Sequence, residues 1–307
     1  MLVTLSEALK KACKGRYAVG AFNVNNLEAI QAVMDASEAE RSPVILSTSE
    51  GAIQYAGMEE LGLLARLAAA RTKVPVVFHL DHGKDVALIE TAIKSGLYTS
   101  VMFDGSSLPF EENVKATSRL VKLAHKHGVS LEAELGAIAG IEDFVSVEAK
   151  DAHLTQPSQA TTFVRRTGCD ALAIAVGTSH GAYKFKKASE LDFPRLKALA
   201  EAVNVPLVLH GASSVPSWVK SLCTKFGCEI AGAKGVSEAH VKKAVGLGVC
   251  KVNVDTDLRI AFDAGIRKFL ATHPQVIDPR EILAPAKALM TRVVRQKMRL
   301  LGSSGKG

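Results

Sequence analysis

Three histidines stand directly before a glycine, each at or just beyond the end of an apolar run: His82 in Asp81-His82-Gly83, His180 in Ser179-His180-Gly181 and His210 in Leu209-His210-Gly211. Neutral imidazoles brought together from separate segments make a borderline-soft site suited to zinc, with a position left open for substrate. Taken singly, each is more often a hydrogen-bonded core or loop residue. Their company makes them informative. Asn23, Ser49, Asp81, Asp104, Glu134, Asn253 and Asp255 fall at comparable places in other runs. Asp81 precedes a proposed ligand, so it reads either as an acid/base acting on a bound hydroxyl or as a carboxylate that orients the ligand. Gly181 and Gly211 would expose backbone N–H groups and Ser213 a hydroxyl, a nest for phosphate, with Lys184, Arg259 and Arg280 supplying positive charge.

Residues so far apart need a scaffold that gathers them. Short β-branched runs bounded by turn residues predict strands near 17–22, 43–47, 75–81, 99–104, 128–134, 170–177, 205–210 and 248–254. Eight strands close a barrel. Between them Leu27–Glu40, Glu59–Arg71, Val86–Ser95 and Glu111–His127 repeat apolar residues every three or four positions, as crossover helices do. The predicted architecture is an α/β (β/α)8 TIM barrel, one domain spanning 1–307. In such a barrel every strand ends on the same face, so the polar strand ends converge on one pocket. Gly136 to Ala160 reads as a long loop of the kind that forms a mobile lid over an active site. Ser213 to His240 reads as a second excursion with short helices, Pro279–Leu301 as a basic C-terminal helical extension, and Gly302–Gly307 as a frayed end.

Composition narrows the function classes. No run of this 307-residue chain is apolar enough to span a bilayer, and the first residues lack the basic-then-apolar pattern of a signal peptide, so a cytoplasmic address is expected. Five scattered cysteines, Cys13, Cys169, Cys223, Cys228 and Cys250, read as reduced, packed thiols. The net charge of +7 comes without a basic block interleaved with aromatics, so small polyanionic substrates explain it as well as nucleic acid would.

Six segments together carry a more specific resemblance: Gly20-Ala21-Phe22-Asn23-Val24-Asn25-Asn26, His79-Leu80-Asp81-His82-Gly83, Leu131-Glu132-Ala133-Glu134-Leu135-Gly136, Gly177 to Lys184, Leu209-His210-Gly211-Ala212-Ser213 and Asn253 to Arg259. In this order, across nearly the whole chain, they resemble the motif set of class II fructose-1,6-bisphosphate aldolases. The resemblance implies that His82, His180 and His210 hold catalytic zinc, with Glu134 and Asp104 at an alternative or second metal position. It implies that Asp81 acts at the C4 hydroxyl and that Glu142 exchanges a proton with the three-carbon ketone. Asn253 would help hold the enediolate. Gly181, Lys184, Gly211, Ser213 and Thr256 would surround one phosphate, near a monovalent cation (Na+ or K+). Asn23, Ser49 and Arg259 would lie at the other end of the substrate, where Arg280 arrives from a neighbouring subunit of a homodimer or homotetramer. Gly105-Ser106-Ser107 and Val254 depart from the commonest family pattern at positions without a mechanistic role.

The implied partners are phosphorylated ketose and triose substrates, with no nucleic acid and no membrane. The reaction is cleavage to dihydroxyacetone phosphate and glyceraldehyde 3-phosphate, in glycolysis and gluconeogenesis. Three rivals stand beside it. A tagatose-1,6-bisphosphate aldolase differs by one stereocentre, although Asp255 and Arg259 resemble the fructose-type pattern more closely. A Schiff-base aldolase would use Lys251, which shares strand parity with Asn253 and Asp255, but leaves three histidines without a purpose. A nonenzymatic anion-binding or nucleic-acid-binding barrel fits the charge and not the gathered ligands.

Overall fold

The β-branched runs become strands and the stretches with helical periodicity become helices, as their spacing dictates. The computed structural model describes residues 1–137, 140–142, 145–147, 153–178, 191–228 and 235–307. Its strands are β1 (Val19–Asn23), β2 (Val44–Thr48), β3 (Val76–Gly83), β4 (Ser100–Phe103), β5 (Ser130–Leu135), β6 (Gly140–Glu142), β7 (Val145–Val147), β8 (Ala171–Ile174), β9 (Leu207–Leu209) and β10 (Val249–Val254). All but β6 and β7 run parallel and close a barrel in the order β1-β10-β9-β8-β5-β4-β3-β2. The predicted eight-stranded barrel is therefore present.

The helices are α1 (Leu5–Gly15), α2 (Leu27–Glu40), α3 (Glu50–Ala56), α4 (Met58–Ala70), α5 (Val86–Lys94), α6 (Phe110–Lys126), α7 (Pro157–Thr167), α8 (Phe193–Ala202), α9 (Ser217–Lys225), α10 (Glu238–Gly246), α11 (Thr256–Thr272) and α12 (Pro279–Leu301). Their starts follow local chemistry. Asn26 caps α2 by accepting from the Ala29 N–H at 2.8 Å. Thr4 and Glu7 form a reciprocal capping box at α1. Among the described residues, no helix is long and apolar enough to cross a membrane.

One apolar cluster fills the space between barrel and helices, and a second fills the barrel's lower interior. The second contains Val19, Ala21, Ile45, Val77, Met102 and Val208, with Leu5, Leu9 and Ala12 of α1 pressed against it. Each fully buried leucine contributes about 1.5–3 kcal/mol, so α1 is a plug that the strand–helix rhythm alone does not reveal. Higher up, strand register sets His79 beside Ser47 on one side and Ser100 on the other. There the interior turns polar.

Several expectations need correction. Cys13 and Cys250 are joined in a disulfide with Cα atoms 5.5 Å apart; α1 folding under the barrel brings together cysteines 237 residues apart in sequence, a contact no spacing rule signals. Cys169, Cys223 and Cys228 are free thiols. The chain end is not frayed: Gly305 and Gly307 donate backbone hydrogen bonds to the Glu40 and Arg41 carbonyls, and Ser303 is fully buried. The long connection after β5 contains the antiparallel hairpin β6–β7, and α7 begins at Pro157, which suits the first helical turn. Gly136 opens that connection at φ +90°, where a Cβ would lie 2.6 Å from Thr155 Oγ1.

Candidate active site

Asp81 and His82 are consecutive, and in a regular strand they would face opposite sides. Register between β3 and β4 shifts between Leu80 and Gly83, and His82 takes φ +49°. That left-handed conformation costs a non-glycine residue about 1–2 kcal/mol. It lets both side chains meet: ligating atoms of Asp81, His82 and His210 lie within 4.8 Å of one another. His210, following β9, is fully buried, and Gly211 turns away at φ +63°.

The two imidazoles meet edge to face, with His210 Nδ1 2.8 Å from His82 Nε2. On its other side His82 Nδ1 is 3.8 Å from Asp104 Oδ2 and 3.8 Å from Glu134 Oε2. His82, Asp104 and Glu134 thus form a second group of convergent ligand atoms. Asp81 is held by two amides: Asn253 Nδ2 donates to Oδ1 at 2.8 Å and Asn23 Nδ2 to Oδ2 at 3.2 Å.

Burial favours the neutral carboxyl at Asp104, but hydrogen bonding and charge from His82, with Ser106 and Lys84 adding to them, more than offset it and hold the group well below the usual carboxylate range. At Glu134 burial is reinforced by the Asp104 carboxylate, and the carboxyl is pushed well above that range. Glu134 Oε2 is buried and has no hydrogen-bond partner among the described residues. Asp81, His82 and His210 on one side of the His82 ring, and His82, Asp104 and Glu134 with its unsatisfied oxygen on the other, are two sets of nitrogen and oxygen donors that each fit a divalent cation.

Beside this cluster a cleft of about 420 Å³ is lined by Asn23, Ser49, Tyr55, Asp255, Arg259 and Phe262, among others. Ser49 caps α3, its Oγ accepting from the Ala52 N–H. Arg259, one turn into α11, is clasped by Asp255 through Nε–Oδ1 at 2.9 Å and a second contact at 2.8 Å. Thr256 starts α11, and Ser213 follows Gly211 in the connection to α9. Both lie beyond strand C-termini on the pocket's face of the barrel. Arg280 stands apart at the start of α12, highly exposed and paired with Asp278. His180, Gly181 and Lys184 lie outside the described residues, as does the side chain of Glu142, whose backbone closes β6.

Residues beneath the pocket were underread in the sequence. His79, which does not stand at a strand end, is fully buried inside the barrel and hydrogen-bonded to Ser100 Oγ at 2.8 Å. Glu132 and Lys251 are fully buried with it, and Lys251 Nζ donates to Glu132 Oε2 at 2.7 Å. Strand parity was the available signal: His79 sits two before Asp81, Glu132 two before Glu134, and Lys251 two before Asn253. A lysine so buried and so paired is poorly placed to attack a substrate carbonyl, which weighs against the Schiff-base rival.

The whole chain also resembles known proteins. It is 48% identical over 306 residues to a fructose-bisphosphate aldolase of Thermus caldophilus, covering 100% of both chains. It is 40% identical to a D-tagatose-1,6-bisphosphate aldolase subunit, GatY, of Klebsiella oxytoca, covering 99% of each. Among solved structures, the YdjI aldolase of Escherichia coli K12 superposes with a TM-score of 0.81 at 32% identity, covering 100% of this chain and 99% of that one. Residues 3–306 match the family described as Fructose-bisphosphate aldolase class-II. With that match over the barrel and its gathered histidines and carboxylates, the chain belongs to the class II fructose-bisphosphate aldolase family of lyases.

Proposed function

We propose that this chain catalyses the reversible cleavage of fructose 1,6-bisphosphate to dihydroxyacetone phosphate and glyceraldehyde 3-phosphate, as a zinc-dependent enzyme of glycolysis and gluconeogenesis. The observation that carries the reading is the convergence of Asp81, His82 and His210 at one end of the barrel, in a chain of this family. His82 and His210, together with His180, would hold the ion, and Glu134 and Asp104 would offer an alternative position. Bound zinc supplies Lewis acidity toward the ketose oxygens, which spreads the negative charge that bond cleavage creates.

The chain's own groups then divide the remaining tasks. Asp81, pinned by the Asn23 and Asn253 amides, accepts the C4 hydroxyl proton as the C3–C4 bond breaks and the aldehyde departs. Asn253 also faces the three-carbon fragment left behind, and Glu142 returns the proton that completes the ketone. Gly181, Lys184, Gly211, Ser213 and Thr256 hold one phosphate; the start of α11 presents backbone N–H groups there. Backbone carbonyls in that region would take a monovalent cation. Asn23, Ser49, Asp255 and Arg259 receive the other end of the substrate, with Arg280 supplied by a neighbouring subunit of a homodimer or homotetramer. The chain works as one cytoplasmic domain on these small substrates, without nucleic acid or membrane, and the connection carrying Glu142 closes over them.

The test pairs metal content with coupled cleavage of fructose and tagatose bisphosphates. Stoichiometric zinc with preferential cleavage of the fructose substrate is expected. The tagatose-type relative favours the second reading, and preference for the tagatose substrate would establish it. Full turnover without metal would overturn both.

A further inference from the structure

The proposed ligands rest on a layer of buried charged and polar groups that the reaction above leaves unused. Glu132 Oε1 lies 2.9 Å from His210 Nε2, and Glu132 Oε2 takes the hydrogen bond from Lys251 Nζ at 2.7 Å. Lys251 Nζ also reaches His79 Nε2 at 3.3 Å, and His79 Nδ1 reaches Ser100 Oγ at 2.8 Å. His79, Glu132, His210 and Lys251 are all fully buried.

Donor and acceptor roles in this layer follow from chemistry. A carboxylate only accepts, so His210 Nε2 carries the hydrogen and donates, which leaves the Nδ1 lone pair on the side of His82. An ammonium only donates, so His79 Nε2 accepts and its Nδ1–H donates to Ser100. Lys251 also supplies the counter-charge without which a carboxylate this deep would be expensive to bury. Each group has one arrangement that satisfies it, and the chain of contacts ends at the nitrogen that faces the pocket.

We propose that Glu132 is the positioning residue of His210, fixing its ring orientation and tautomer for metal binding, and that Lys251 acts through Glu132 by anchoring its carboxylate. This rests on the metal reading above and assigns that site its supporting layer. Outer partners of this kind typically change metal affinity by about 10–100-fold when removed.

Two measurements test it. In the zinc-loaded full chain labelled with 15N-histidine, His210 is expected to show hydrogen on Nε2 and none on Nδ1; hydrogen on Nδ1 would overturn the proposal without any variant. In the second, zinc transfer from the full chain to a chromophoric chelator is followed for the parent, Glu132→Gln, Lys251→Met and the double variant, with circular dichroism confirming fold. Glu132→Gln is expected to release zinc about 10–100-fold more readily. Lys251→Met is expected to change retention by more than about threefold with Glu132 present and by less than about twofold once Gln stands at 132, since coupled residues are not additive. Equal retention in parent and Glu132→Gln, or equal effects of Lys251→Met in both backgrounds, would overturn this proposal while leaving the metal reading intact. A parent chain that binds no zinc would overturn both.

Discussion

The two ends of the barrel are built from the same eight strands and differ in almost everything else. At the lower end Val19, Ile45 and Val77 pack against Leu5 and Leu9 of α1 in an apolar cluster. At the upper end Asp81, His82, Asp104, Glu134, His210 and Asn253 crowd together, with His82 in a left-handed conformation and Glu134 Oε2 lacking a partner among the described residues. The lower end stabilises the barrel. The upper end holds like charges and backbone strain that this stability makes tolerable.

If that division is right, changes at the upper end should remove function with little effect on stability, and changes at the lower end should do the reverse. The largest effect is predicted for metal removal: a strong chelator abolishes cleavage and zinc restores it, and His210→Ala loses both zinc and turnover. Turnover that survives chelation, with borohydride inactivation in the presence of dihydroxyacetone phosphate, would move the chemistry to a lysine. Next, Asp81→Ala should keep zinc while single-turnover cleavage falls by about 10²–10⁴-fold, the usual span for a general base. Loss of zinc in step with activity would demote Asp81 to a group that orients the ligand.

At the lower end, Leu9→Ala should cost about 2–5 kcal/mol in denaturant unfolding, with kcat/KM unchanged at temperatures where the chain stays folded. A comparable loss of kcat/KM would show that the two ends are coupled. The smallest effect belongs to the outer ring. Hydrogen bonds from Arg299 act against burial and, with Ser304 and Arg295, bring the Glu40 carboxyl down to about 2 from an ordinary value of 4.5. A depressed carboxyl stabilises the fold fully above its unfolded value, and the contribution fades as pH falls from about 4.5 toward 2. Glu40→Gln should therefore lower stability at neutral pH by about 1–3 kcal/mol and flatten the acid limb of the stability curve; an unchanged acid limb would mean that the contacts to Arg295 and Arg299 add nothing.

Much of this could be read from the chain alone, for local reasons. Leu27–Glu40 and Pro279–Leu301 are helices at the bounds their periodicity and caps indicate, because α2 and α12 carry their own start signals in Asn26 and Asp278. Strand number and the one-sided placement of Asn23, Asp81, Glu134, His210 and Asn253 were also legible, since parallel strands all end on one face.

Other features depend on contacts between distant segments. The barrel plug α1 and the Cys13–Cys250 disulfide exist because the chain's beginning folds beneath its last strand. The ordered end near Glu40 exists because residues more than 260 positions apart meet there, as Ser304 and Glu40 do. Strand alternation would have sent Asp81 and His82 to opposite faces, and only the register shift against β4 brings both to the pocket. For His79, Glu132 and Lys251 the sequence determined their parity, which puts them on the inward side of their strands. The tertiary structure decided their depth, because barrel closure and strand stagger set which inward residues share a layer, and that layer lies directly under His210.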